Sequence, residues 1–103
     1  MVGIDLVNIE RVTLKETFVQ YILTEDELEV FNAIHTDDRR KEYLAGRFAA
    51  KEAIFKALQD SSYLKYSVLN KENGMPYVKD HPEISISISH DGGIAAAIVM
   101  IKD

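Results

Sequence analysis

The sequence contains no cysteine. That absence excludes a disulfide framework, a thiolate metal site and a cysteine nucleophile, and it suits a reducing compartment. No stretch approaches the roughly 18 apolar residues of a membrane span. The opening Met1-Val2-Gly3-Ile4-Asp5 has no basic region followed by a long apolar run, so it does not read as a secretory signal. A cytoplasmic protein with no membrane association is the expectation. Positive charge is also short: 12 Lys and Arg against 17 Asp and Glu give a net charge of −5. This argues against broad nucleic-acid binding by a basic face. A phosphate ligand or acidic partner would have to meet locally concentrated cations. Only 2 prolines and 5 glycines occur in 103 residues, and no repeat or Pro/Gly/Ser-rich linker interrupts them. One domain over residues 1–103 is expected. A chain of this size buries only about 60–65% of its unfolded surface, so association with further copies is a natural way to bury more.

What is there is a clear pattern of elements. Val2 to Val7 reads as a strand of Val2, Ile4, Leu6 and Val7 interrupted by Asp5. Asn8 to Gln20 reads as a helix with Ile9, Val12 and Phe18 inward and Arg11 and Lys15 elsewhere, one helical turn apart. Thr24 looks like an N-cap before the acidic turn Glu25-Asp26-Glu27, and Leu28, Phe31 and Ile34 continue at helical spacing. His35 to Arg40 reads as a polar turn. Lys41 to Leu58 is the longest helical pattern, dense in alanine and other good helix formers. Tyr66–Asn70 and Pro76–Lys79 read as strands around Lys71-Glu72-Asn73-Gly74, whose Asn-Gly pair is a hairpin signal. Ile84 to Ser89 alternates isoleucine with serine, as a strand with one buried face does. After the turn Asp91-Gly92-Gly93, Ile94 to Ile101 is apolar enough for a central strand covered on both faces. The class is α+β: helices first, one of them long and central, then a mainly antiparallel sheet that the N-terminal strand joins.

Several charges sit oddly in this pattern. The long helix is apolar or small on almost every side, which marks a buried helix, yet it carries Arg47, Lys51, Glu52 and Lys56. Two readings are open. Glu52 and Lys56 form an i,i+4 surface pair with Arg47 and Lys51 solvated, or Glu52 binds a cation while the three bases meet phosphates. Asp5 either caps the next element or supplies a carboxylate to a hard divalent ion; Asp5 with Glu52 would suit magnesium, which takes few carboxylates beside water and phosphate oxygens. Ser89 and His90 close the alternating strand beside a glycine-rich turn where a phosphate could approach, or His90 is an ordinary surface histidine. A Ser-His hydrolase is poorly supported, because strand neighbours point to opposite faces and no nucleophile-elbow motif is present.

Taken together these residues resemble the holo-(acyl carrier protein) synthase family of phosphopantetheinyl transferases. Three blocks match in order: Gly3-Ile4-Asp5 with Arg11 beyond it; Leu44-Ala45-Gly46-Arg47-Phe48-Ala49-Ala50-Lys51-Glu52-Ala53-Ile54-Phe55-Lys56-Ala57-Leu58; and Ile86-Ser87-Ile88-Ser89-His90 with Ala95-Ala96-Ala97-Ile98-Val99 after it. Asn73-Gly74-Met75-Pro76 is similar to the family's Gly-x-Pro turn. The resemblance spans nearly the whole chain and implies a 4'-phosphopantetheinyl transferase fold. It implies Mg2+ on Asp5 and Glu52, and coenzyme A phosphates and adenosine on Arg47, Lys51, Lys56, Ser89 and His90. It places Gly74 and Pro76 near the adenine, and Arg11, with Lys15 beside it, against an acidic acyl carrier protein. It also implies a homotrimer with active sites at the subunit interfaces. The implied reaction moves the phosphopantetheine arm of coenzyme A to a carrier serine and releases 3',5'-ADP, with Glu52, directly or through a water it holds, as general base and Lys56 as an electrostatic aid. The alternatives are a non-catalytic oligomeric interaction domain of the same fold and a metal-dependent hydrolase of nucleotide-like phosphates.

The sequence departs from the family pattern in three places. Gln59-Asp60-Ser61-Ser62 stands where a Gly-Thr-Gly-like loop is usual. The stretch between Pro76 and Ser89 is too short for a helix often found there. Thr17-Phe18-Val19-Gln20-Tyr21 lacks the usual arginines, which implies weaker electrostatic docking of the carrier.

Overall fold

The structure, a computed structural model, describes residues 1–102. Strand β1 (Val2–Asn8) is followed by helices α1 (Glu16–Ile22), α2 (Glu25–Asn32) and α3 (Asp37–Leu58), and then by strands β2 (Val68–Asn70), β3 (Pro76–Val78), β4 (Ile84–Asp91) and β5 (Ile94–Ile101). The main sheet has the order β1-β5-β4 and is antiparallel throughout, and β2 and β3 form a separate antiparallel pair. The expected α+β class holds, and so do the central place of β5, the hairpin after Asn70 and the missing helix between Pro76 and Ser89. Among the described residues no helix is long and apolar enough to cross a membrane.

Helix α3 organises the rest because it is buried on two sides at once. Gly46, Ala53 and Ala57 turn toward the sheet: a Cβ on Gly46 would lie 3.4 Å from the Ile88 side chain, and Ala53 and Ala57 touch Gly3 of β1. Arg47 and Lys51 turn the other way and reach Val68, Ile22, Glu27 and Tyr63. This two-sided burial explains why the sequence of α3 shows no single apolar stripe. The helix also starts earlier than its apolar pattern suggests. The Thr36 side chain accepts the Arg39 N–H at 3.3 Å, and Asp37 and Asp38 occupy the first turn, where the helix dipole favours acids. The polarity of residues 35–40 concealed that cap.

The helix expected over Asn8–Gln20 is broken. Residues Ile9–Arg11 form a single 3-10 turn, capped by the Asn8 side chain, which accepts the Glu10 N–H at 3.0 Å. The chain is then non-helical from Val12 to Lys15, with the Thr13 hydroxyl accepting the Lys15 N–H at 3.2 Å. A threonine that bonds the backbone two residues on offers an alternative to the helix, and the β-branched Val12 beside it is a weak helix former. Arg11 and Lys15 therefore do not share a helix. Asn8, not Asp5, caps the turn after β1.

Strand β5 departs from expectation in one respect. Its Ala95, Ala97 and Val99 are buried against α3, but Ile98 and Met100 point away from α3 and are 40% and 58% exposed. They sit beside Ile4 and Val2 of β1, 56% and 58% exposed, so the outer face of the sheet is apolar and open in a single chain.

Strand β1 lies so close to α3 that only glycine fits at position 3. A Cβ there would stand 1.9 Å from the Ala53 carbonyl oxygen and 3.0 Å from the Ala57 nitrogen, both backbone atoms that cannot swing aside. Gly3→Ala is expected to force the strand off the helix and to destabilise the fold by about 3 kcal/mol, at the upper end of ordinary overpacking, read as a lower midpoint in urea unfolding with an unchanged slope.

Candidate active site

Along β1 the side chains alternate, so Gly3, Asp5 and Val7 face α3 while Ile4 and Leu6 face outward. This brings Asp5 to the rim of a cleft of about 430 Å3 that it lines with Glu52, Arg11, Phe18 and Phe48. Lys56 donates to Asp5 Oδ1 at 2.9 Å and to the Ile4 carbonyl at 3.1 Å. Glu52, one turn earlier on α3, does not pair with Lys56; its Oε1 accepts the Tyr63 hydroxyl at 2.7 Å. The i,i+4 surface pair is thus not formed. Among the described residues no protein donor reaches Asp5 Oδ2 or Glu52 Oε2. Two hard carboxylate oxygens open on one cleft, and no group of three or more His, Cys, Asp or Glu among the described residues surrounds them. A cation there would take its remaining ligands from water and substrate, which fits the demands of Mg2+.

The other two bases of α3 are not solvated either. Lys51 is 1% exposed, and its ammonium donates to Glu27 Oε1 at 2.8 Å, to the Ile22 carbonyl at 2.9 Å and to the Tyr63 carbonyl at 2.9 Å. Those bonds use all three of its donors. Burial pushes Lys51 below its ordinary pKa, with the Glu27 charge opposing the fall. Lys51 therefore has nothing left to offer a phosphate, and its place is structural. Its partner Glu27 is 0% exposed and was not singled out from the sequence. Glu27 Oε1 also accepts the Thr24 N–H at 2.9 Å, completing a capping box, and Oε2 accepts the Val68 N–H at 2.8 Å. The pattern Thr24-x-x-Glu27 was the signal that could have found it.

Arg47 is 6% exposed and lies 4.5 Å above the Tyr43 ring, donating to the Val68 carbonyl and to Asn70 Oδ1, both at 3.1 Å. Burial raises the Tyr43 hydroxyl to about 12, against the pull of the Arg47 charge. Arg47 retains further N–H groups and lines a cleft of about 240 Å3 with Asn70 and His90. His90 faces the α3 side of β4, whereas Ser89 faces outward with Leu6 and Ala96, so the two are parted as strand neighbours must be. Gly74 sits at φ 87°, a left-handed value that favours glycine, at the tip of the β2–β3 hairpin. Pro76 lines a third cleft of about 420 Å3 with Lys71 and His81. Arg11 belongs to the Asp5–Glu52 cleft, and Lys15 is exposed outside it. The candidate residues thus fall into separate places, and no residue lines both the Asp5–Glu52 cleft and the Arg47–His90 cleft.

Residues 1–99 match the family model described as the 4'-phosphopantetheinyl transferase superfamily. A holo-[acyl-carrier-protein] synthase of Onion yellows phytoplasma (strain OY-M) is 35% identical, over 98% of this chain and 92% of the relative. One of Geobacillus sp. (strain WCH70) is 38% identical, over 98% and 94%. The crystal structure of a holo-(acyl-carrier-protein) synthase from Bacillus anthracis in complex with CoA (3',5'-ADP) superposes with a TM-score of 0.88 at 34% identity, covering 99% of this chain and 95% of that one.

Lys51→Met should leave the Glu27 carboxylate buried without its counter-charge and lower stability by about 3–5 kcal/mol, measured by urea or thermal unfolding. A residue that only contacted substrate would leave the unfolding curve in place.

Proposed function

The chain belongs to the 4'-phosphopantetheinyl transferase superfamily, and we propose that it transfers the 4'-phosphopantetheine group of coenzyme A to a serine of apo acyl carrier protein, releasing 3',5'-ADP in a Mg2+-dependent reaction. The observation that carries this reading is the pair Asp5 and Glu52, each with one unengaged carboxylate oxygen, on a cleft that also holds Arg11. We place the whole chain, residues 1–103, in one transferase domain working in the cytoplasm, a setting its cysteine-free composition suits.

When bound between Asp5 and Glu52, Mg2+ would neutralise charge on the pyrophosphate. The chain's own residues do the rest. Lys56, 52% exposed at its side chain, already sits on Asp5 and is free to turn its ammonium toward a phosphate oxygen. The serine hydroxyl attacks the β-phosphorus, the bond to the 3',5'-ADP oxygen breaks, and the serine proton passes to Glu52, directly or through a water. Arg47 and His90 offer donors to the phosphates and adenosine, and the Gly74–Pro76 turn flanks the adenine. Arg11, at the mouth of the cleft, and the exposed Lys15 are the cations that meet the acidic carrier.

The split between the two clefts supports a further part of the reading: the active site is completed by a second copy in a homotrimer. The outer sheet face supplies a surface for it. Val2, Ile4, Leu6, Ile98 and Met100 are each 40–66% exposed and contiguous across β1 and β5. Contiguous apolar patches of that kind mark interaction sites.

Incubating apo carrier protein, coenzyme A and Mg2+ with the chain should raise the carrier's mass by one phosphopantetheine group, and chelation should stop it. Glu52→Gln should fold normally and lose about 10²–10⁴-fold in rate; full activity in that variant would remove Glu52 from the reaction. The shared site has its own check. Leu6→Asp should convert trimer to monomer in light scattering and abolish transfer. Mixing inactive Glu52→Gln subunits with inactive His90→Ala subunits should restore part of the activity, and no restoration would place both residues in one subunit's site.

A further inference from the structure

The loop after α3, where the chain departs from the family pattern, folds back onto the site. Gln59 ends α3 in the left-handed conformation, at φ 57°. Asp60 then gathers the loop: its carboxylate accepts the Ser62 N–H at 2.9 Å, the Tyr66 hydroxyl at 2.9 Å and the Lys65 ammonium at 3.2 Å, bonds that hold the acid well below its usual range. This turn delivers Tyr63 to α3, where it is gripped at both ends. Its carbonyl accepts Lys51 at 2.9 Å, and its hydroxyl donates to Glu52 Oε1 at 2.7 Å. The ring meets Tyr21 and Phe48 edge-on, with centroids 5.6 and 6.4 Å apart. A phenol fixed from three sides holds the carboxylate it touches in one orientation, with Oε2 left for the cleft that Phe48 also lines.

We propose that Tyr63 is a positioning residue for the transfer reaction: its hydroxyl fixes the Glu52 carboxylate so that the second oxygen is presented to a divalent cation. The proposal takes from the transferase reading what Glu52 is for, but not its geometry. Partners that orient a carboxylate ligand typically change metal affinity or activity by about 10–100-fold when removed.

The test compares the full chain with Tyr63→Phe, which keeps the ring and its packing and removes only the hydroxyl. Mn2+ binding in the presence of coenzyme A is read from the loss of the free-ion electron paramagnetic resonance signal, and the Mg2+ concentration for half-maximal transfer is read separately. Tyr63→Phe should weaken Mn2+ binding about tenfold and should raise the half-saturating Mg2+ by more than it lowers kcat. Unchanged Mn2+ affinity, even with a lower melting temperature, would overturn the proposal, as would a wild-type chain that binds no Mn2+. The transferase reading fails differently: a wild-type chain that binds Mn2+ but modifies no carrier sinks that reading, and a tenfold weaker Mn2+ affinity in Tyr63→Phe would still uphold the role of Tyr63.

Discussion

One buried ion pair ties this small fold together. Lys51 and Glu27 meet at 2.8 Å with both side chains fully out of solvent. Around that contact five pieces of chain are joined: the end of α1 through the Ile22 carbonyl, the first turn of α2 through Thr24, the middle of α3, the Tyr63 turn, and β2 through the Val68 N–H. A buried pair is seldom stabilising compared with an apolar alternative, because removing two charges from water is costly. What it supplies here is direction. Each of the three Lys51 N–H donors has its own acceptor, Glu27 takes three donors on its two oxygens, and among the described residues no buried side-chain nitrogen or oxygen lacks a bond.

The same contact explains how the cleft residues of α3 come to be placed. Different faces of α3 serve different ends: Arg47 and Lys51 face the layer of α1, α2 and β2, while Glu52 and Lys56, the next positions round, come out at the edge where β1 passes. A single run of helical sequence thus carries a structural base directly beside an acid that lines the cleft. The Tyr63 turn spans both, bonding Lys51 with its backbone and Glu52 with its side chain.

This adjacency also marks what could be read from the sequence. The strands, the Thr24 cap, the hairpin and the long helix are dictated by local chemistry: alternation, capping residues and an Asn-Gly turn. The pairing of Asp5 and Glu52 in one cleft came from the ordered match to a family, since 47 positions of sequence separate them and no local rule joins them. Lys51 was legible only as a charge in a buried helix. Its resolution required Glu27, 24 residues away, which looked like one acid among three at the start of α2. The break after Arg11 was missed for a related reason: Ile9, Val12 and Phe18 keep helical spacing, while the Thr13 side chain decides the backbone. Tyr63 carried no motif at all, because a loop's reach depends on where its ends are anchored.

The contact between Gly3 and Ala53 reaches beyond packing. Asp5 lies two residues along β1 from Gly3, on the same face, and Glu52 is the immediate neighbour of Ala53 on α3. The spacing between strand and helix therefore sets the spacing between the two carboxylates. Position 3 thereby works as a spacer of no thickness: any side chain there would push the strand off the helix and part the two acids that line one cleft.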